Sequence, residues 1–131
     1  MLLGIYALKL LDDKRINRFL KSIRTGFYVL LILRLLLVYG HLYGYKIRML
    51  IIERTGGVLK PSESTIYESL KLLEKNGFIK SYWAESLQGP PRKYYEITSD
   101  GRRLFELLMS EVSRLYRALE GINLEGGGSA L

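Results

Sequence analysis

The chain has no cysteine, one histidine and only three prolines in 131 residues. The missing cysteines exclude a disulfide framework, a thiolate metal site and a thiol nucleophile, and they suit a reducing cytoplasm. A lone histidine, His41, cannot supply a His-pair zinc site. Acidic residues are scarce, with 13 Asp and Glu against 20 Lys and Arg, for a net charge of +7. No long apolar run stands out either. The stretch from Phe27 to Val38 is shorter than the roughly 18 to 20 residues a bilayer core requires, and it contains Arg34, so stable membrane insertion is not expected. Met1 to Leu11 is apolar but lacks a basic n-region, carries Lys9, and runs into Asp12 and Asp13 without a small-residue cleavage pattern. It reads as an element of the mature protein and not as a signal peptide.

What is present is an ordinary globular composition, 48% apolar and 25% charged, sized for one domain. The charge is uneven. Met1 to Lys60 holds 11 basic and 3 acidic residues, Pro61 to Arg103 holds 7 and 6, and Leu104 to Leu131 holds 2 and 4. A basic surplus makes polyanions the first partners to consider. Because the middle segment is nearly neutral, recognition there has to come from a few placed groups.

Hydrophobic periodicity orders the chain. Asp12 or Asp13 caps a first helix with Ile16, Phe19, Leu20, Ile23 and Phe27 inward. That helix becomes apolar nearly all round from Leu30 to Leu37 and ends at Gly40. Lys14, Arg18, Lys21 and Arg24 recur on another of its faces. A second helix begins near Leu42 to Tyr45, carries Ile47, Leu50 and Ile51 inward, and stops at Gly56 and Gly57. Val58 and Leu59 form a short extended piece. Ser62 then caps a third helix, with Ile66, Leu70 and Leu73 inward and a stop at Asn76 and Gly77. Beyond Gly77 the period becomes two, in Phe78 to Glu85 and Lys93 to Thr98, around a loop holding Gly89, Pro90 and Pro91. Ser99 or Asp100 opens a last helix whose apolar positions Leu104, Leu108, Val112, Leu115, Leu119 and Ile122 step by fours and threes. Such a seam wants a partner helix. Gly126 to Ser129 is a flexible end.

Three helices, a β-hairpin and a long terminal helix describe a mainly α (α+β) fold, a winged helix-turn-helix with a dimerisation arm. At the third helix, Ser62, Ser64 and Thr65 are short hydrogen-bonding residues at the end where free N–H groups can meet phosphate. Tyr67 and Lys71 continue on the face opposite Ile66, Leu70 and Leu73. Two readings of Tyr67 stay open, a DNA contact or a ring packed under the wing. Arg92 and Lys93 stand beside the stiff Pro90 and Pro91 and are expected to point outward, toward a backbone or minor groove. For Lys14, Arg18, Lys21 and Arg24 three readings are open: contact with DNA phosphates, pairing with Glu106, Glu111 and Glu120 of a terminal helix, or plain solvated surface. No Gly-rich phosphate loop, metal-ligand spacing or nucleophile arrangement occurs, so no catalytic residue, metal or cofactor is assigned and no enzyme is expected.

The motifs go further. Gly44-Tyr45-Lys46-Ile47, Gly56-Gly57, Pro61-Ser62, Thr65-Ile66-Tyr67, Leu70-x-x-Leu73-Glu74 and Gly77, followed by Pro91-Arg92-Lys93-Tyr94-Tyr95-x-Ile97-Thr98-x-x-Gly101-Arg102, resemble the PadR family of transcriptional regulators from about Phe27 to Leu104. The resemblance implies a cytoplasmic homodimeric repressor, often responsive to a small molecule. Its third helix would sit in the major groove of a pseudo-palindromic operator, with Tyr95 and Ile97 the inward pair of the wing. The chain as a whole is expected to divide into residues 1–24, an N-terminal extension helix region, 25–98, the winged-helix DNA-binding domain, 99–123, the dimerisation helix, and 124–131, a flexible tail. Two departures matter. Tyr43-Gly44-Tyr45-Lys46 stands where the family often has His-Gly-Tyr-Glu, with His41 two positions early. The only Trp is Trp83, so an aromatic drug sandwich in the terminal helix is not supported. A reading of another class is a winged-helix protein-interaction or membrane-surface module that uses the apolar Met1 to Leu11 segment and the basic stripe.

Overall fold

The computed structural model describes residues 13–124. The expectations for Met1 to Leu11, Asp12 and Gly126 to Ser129 lie outside them. Helix α1, Lys14–Tyr39, is capped by Asp13, whose carboxylate accepts from the Arg15 N–H at 2.9 Å. The Arg15 side chain pairs with the same carboxylate, and this contact, followed by the backbone hydrogen bond, holds Asp13 below the usual carboxylate range. α1 runs unbroken through position 24, so the extension and the body share one helix. By length and composition alone it is long and apolar enough to cross a bilayer, which the shorter count from Phe27 to Val38 did not allow. Its Leu30, Ile32, Leu33, Leu35 and Leu36 are instead buried in the core.

The first half of α1 departs from expectation. Ile16 and Leu20 are half-buried, but Phe19 and Ile23 are 73% and 67% exposed, and Phe27 is exposed as well. Periodicity marks an apolar face correctly, but it does not say whether the same chain covers that face.

Gly40, at φ 86°, turns the chain into β1, His41–Tyr43. This strand was not foreseen. It pairs antiparallel with β3, His41 opposite Glu96, Leu42 opposite Tyr95 and Tyr43 opposite Tyr94. Val58 and Leu59, the expected extended piece, form no strand. They follow a turn in which Gly56 and Gly57 take φ of 60° and 78°, and the Thr55 hydroxyl accepts from Leu59 N–H at 3.2 Å.

Helix α2, Gly44–Arg54, buries Gly44, Ile47, Leu50 and Ile51. Helix α3, Glu63–Lys75, buries Ile66, Ser69, Leu70 and Leu73. Ser62 caps it by accepting from Thr65 N–H at 3.1 Å. It ends in a Schellman pattern, Phe78 N–H to the Leu73 carbonyl and Gly77 N–H to that of Glu74, each 3.0 Å.

The hairpin is β2, Ile79–Ser86, and β3, Gly89–Ile97, giving a three-stranded sheet in the order β1-β3-β2. Gly89, Pro90 and Pro91, expected in the loop, belong to β3, and the turn is only Leu87 and Gln88. Proline's fixed φ suits extended backbone, and its missing N–H is harmless at the outer end of a hairpin.

Thr98, and not Ser99 or Asp100, caps α4, Ser99–Glu120. Its hydroxyl accepts from Gly101 N–H at 3.1 Å and donates to the Gly77 carbonyl at 2.7 Å. A side chain at Gly101 would overlap the Phe78 carbonyl, so only glycine lets α4 start against the turn after α3. Leu104, Phe105 and Leu108 then pack on the core.

Candidate nucleic-acid interface

The start of α3 is polar and open to solvent. Ser62, Glu63 and Ser64 are exposed and Thr65 half-buried. The Ser62 hydroxyl lies 3.2 Å from that of Ser64 and 2.9 Å from that of Thr65, so three hydroxyls share one small network. The loop leading in is anchored, since Arg48 on α2 donates to the Pro61 carbonyl at 2.8 Å. Farther along, Tyr67, Glu68, Lys71 and Leu72 form the outer face. No carboxylate lies within ion-pair distance of Lys71 among the described residues.

Tyr67 combines features of both readings. Its ring packs on the backbone of Gly44, where an added Cβ would come within 2.9 Å, yet the residue is half exposed. It lines a cleft of about 520 Å³ whose other walls include Tyr43, Tyr45, Trp83 and Arg92. Short β1 forms this cleft by covering β3 only from Tyr94 to Glu96, which leaves the Pro91 to Lys93 edge open toward α2.

Arg92 and Lys93 both line this cleft, but they stand on opposite faces of the strand and have different partners. Arg92 lies on the outer sheet face, its guanidinium carbon 4.4 Å from the Tyr43 ring centroid. It continues an aromatic row in which Tyr43 meets Tyr94 at 5.5 Å and Tyr94 meets Tyr82 at 5.9 Å between ring centroids. Lys93, one residue on, faces inward because strand side chains alternate. Its ammonium is 3.5 Å from Glu74 of α3, and the Ser81 hydroxyl donates to the same carboxylate. Burial, then the charges of Glu74 and Tyr67, pushes the phenol of neighbouring Tyr95 above its ordinary range. The expectation that Lys93 points outward is therefore corrected.

One more network, which the sequence did not suggest, crosses all three strands at the end of the sheet away from the hairpin turn. His41 meets the Tyr82 hydroxyl at 2.7 Å and the Glu96 carboxylate at 3.3 Å, and Lys80 reaches Glu96 at 3.1 Å. A three-residue strand is too short to show a period, so nothing in sequence put His41 beside β2 and β3.

On α4, Leu104, Leu108 and Val112 are half-buried, whereas Leu115 and Leu119 are 61% and 69% exposed; Ile122, expected on the same helix to 123, lies past its end at Glu120 and is 77% exposed. The seam is thus divided between this chain's core and open solvent. Within the chain, Lys14, Arg18, Lys21 and Arg24 make no ion pair with Glu106, Glu111 or Glu120. Glu111 pairs instead with Arg114 at 3.3 Å.

Residues 32–107 match the model of the transcriptional regulator PadR-like family. An uncharacterised protein of Lysinibacillus sphaericus is 38% identical over 90 residues, which are 69% of this chain and 82% of that protein. A transcriptional regulator from Clostridium thermocellum superimposes with a TM-score of 0.70 at 31% identity, covering 78% of this chain and 95% of that one. Bacillus subtilis PadR, solved in complex with operator DNA, gives 0.56 at 30% identity, covering 62% of this chain and 45% of that one.

Proposed function

Because the chain belongs to the PadR-like family of transcriptional regulators, we propose that it is a sequence-specific DNA-binding repressor acting in the cytoplasm as a homodimer. One observation carries this reading, the exposed hydroxyl-rich start of α3 on a helix whose other face is fixed in the core. The operator complex of the Bacillus subtilis relative supports duplex DNA as the partner.

In this reading α3 enters the major groove. Ser62, Ser64 and Thr65 meet base edges and phosphate there, and Lys71 follows the groove wall. Tyr67 contacts the strand while it rests on Gly44. Arg92 reaches the adjacent backbone or minor groove. Lys93 holds the wing to α3 through Glu74 and serves binding from within. Leu115, Leu119 and Ile122, with exposed Phe19 and Ile23 of α1, are the apolar surface a second copy would cover, while Leu104 and Leu108 serve mainly the chain's own core. Two α3 helices then address half-sites about 34 Å apart on a pseudo-palindromic site.

Duplexes selected from a random library by the purified protein, followed by titration at physiological salt and sedimentation, test this. A dimer is expected, with a selected duplex preferred over a scrambled one by at least about 10³-fold. A monomer that binds both alike would defeat the reading.

A further inference from the structure

A second cleft, of about 280 Å³, lies on the other flank of the α3 start. Thr65 lines it and Tyr67 lines the wing cleft, two residues that lie about 200° apart around the helix. Lys21 and Arg24 from α1, Lys60 from the loop, and Ser62 and Thr65 form its polar wall. Three cations therefore converge on one opening. No carboxylate lies within ion-pair distance of any of them among the described residues. Glu63, the acid of the first α3 turn, lines the opposite side with Arg48. The first-turn N–H groups of α3 add positive potential at the same place.

Like charges at helical spacing repel one another, so the cleft is suited to an anion with several acceptor oxygens. The shape of the charge distribution selects which one. Exposed Lys14 and Arg18 continue the face outward, and Lys14 to Arg24 spans about 15 Å at 1.5 Å per residue. A row of that length, open along its side, matches a chain of phosphates better than a single small anion.

We propose that Lys21, Arg24 and Lys60, extended by Arg18 and Lys14, form a clamp for the DNA backbone beside the site that α3 reads. This rests on the DNA-binding reading and adds to it a second, sequence-independent contact surface. The clamp contributes affinity and salt dependence without base preference, because phosphates carry no sequence.

The test replaces Lys21, Arg24 and Lys60 together by Gln in the full chain, with Arg34, Arg54 and Arg103, all exposed elsewhere, replaced together by Gln as a charge-matched control. Circular dichroism melts verify folding. Affinity for a duplex selected by the wild type, and for its scrambled version, is then measured across a salt series. The clamp variant is expected to lose about 0.9 from the magnitude of the log–log slope for each lost phosphate contact, on both duplexes alike, with the preference between them kept. The control keeps the wild-type slope. An unchanged slope in the clamp variant, or an equal drop in the control, overturns the clamp while DNA recognition stands. A wild type that enriches no duplex defeats the recognition reading itself. Weaker binding of the clamp variant to phosphatidylcholine vesicles containing phosphatidylserine, with unchanged DNA slopes, would give the row to a lipid surface and overturn the proposal.

Discussion

The two flanks of α3 are built on opposite principles. On the wing flank the cations of β3 are matched, Lys93 with Glu74 and Arg92 with the face of Tyr43. On the α1 flank Lys21, Arg24 and Lys60 converge with no carboxylate against them among the described residues. Matched charges fix the angle between two elements. Unmatched ones project a field into solvent and act on whatever arrives from it. One helix thus separates a flank that sets geometry from a flank suited to attraction, so a cation count alone says little about which residues touch a ligand.

The largest effect would come from loosening the frame both flanks share. Leu70 is fully buried on α3, and Leu70→Ala is expected to cost about 2–5 kcal/mol, read as a lower urea midpoint. Both flanks should fail together. A variant of wild-type stability would mean that α3 is not their common support.

A smaller effect distinguishes the flanks directly. Lys93→Met should cost no more than about 1 kcal/mol of stability, since the pair with Glu74 is only partly buried. The salt slope for DNA should stay at its wild-type value. A slope smaller by about 0.9 would place Lys93 on a phosphate and erase the contrast.

The smallest effect concerns pH. The Tyr95 phenol is raised above its ordinary value of 10.0, mainly by burial, so the folded state favours the neutral ring. That contribution is complete below pH 10.0 and is lost as pH rises through the raised value. Tyr95→Phe should therefore flatten the alkaline fall in melting temperature. Asp13, which caps the helix bearing the basic row, has the opposite sign. Its carboxyl is lowered from 3.8 by Arg15, so its contribution is present above that value and lost as pH falls through the lowered one. Melts followed at both extremes would sharpen the contrast if the two groups act at opposite ends, and blur it if Tyr95→Phe leaves the alkaline limb unchanged.

Much of this is legible in the sequence. Ser62 as a cap, Ile66, Leu70 and Leu73 as the inward face of α3, and Gly77 as its stop are local facts, set by hydrogen-bonding and helical spacing within a few residues. The order of elements and the family followed from motifs in one sequence. Strand β1 was not legible, because three residues show no period and its partner lies more than fifty positions away. Alternation with Tyr95 and Ile97 already puts Lys93 on the inner face, but its pairing with Glu74 was not legible, because that carboxylate comes from another element, α3.

The sequence by itself determined which residues are apolar, the cap and the stop of α3, how the net charge is distributed, and the lineage of the fold. Only the tertiary structure decided which charges meet a partner. Lys93 and Lys21 look alike in sequence, but alternation on a strand brings one to Glu74 and helical phase brings the other to Lys60. Electrostatic pairing acts over a few ångströms between residues far apart in the chain. It therefore becomes readable only once packing has fixed those distances.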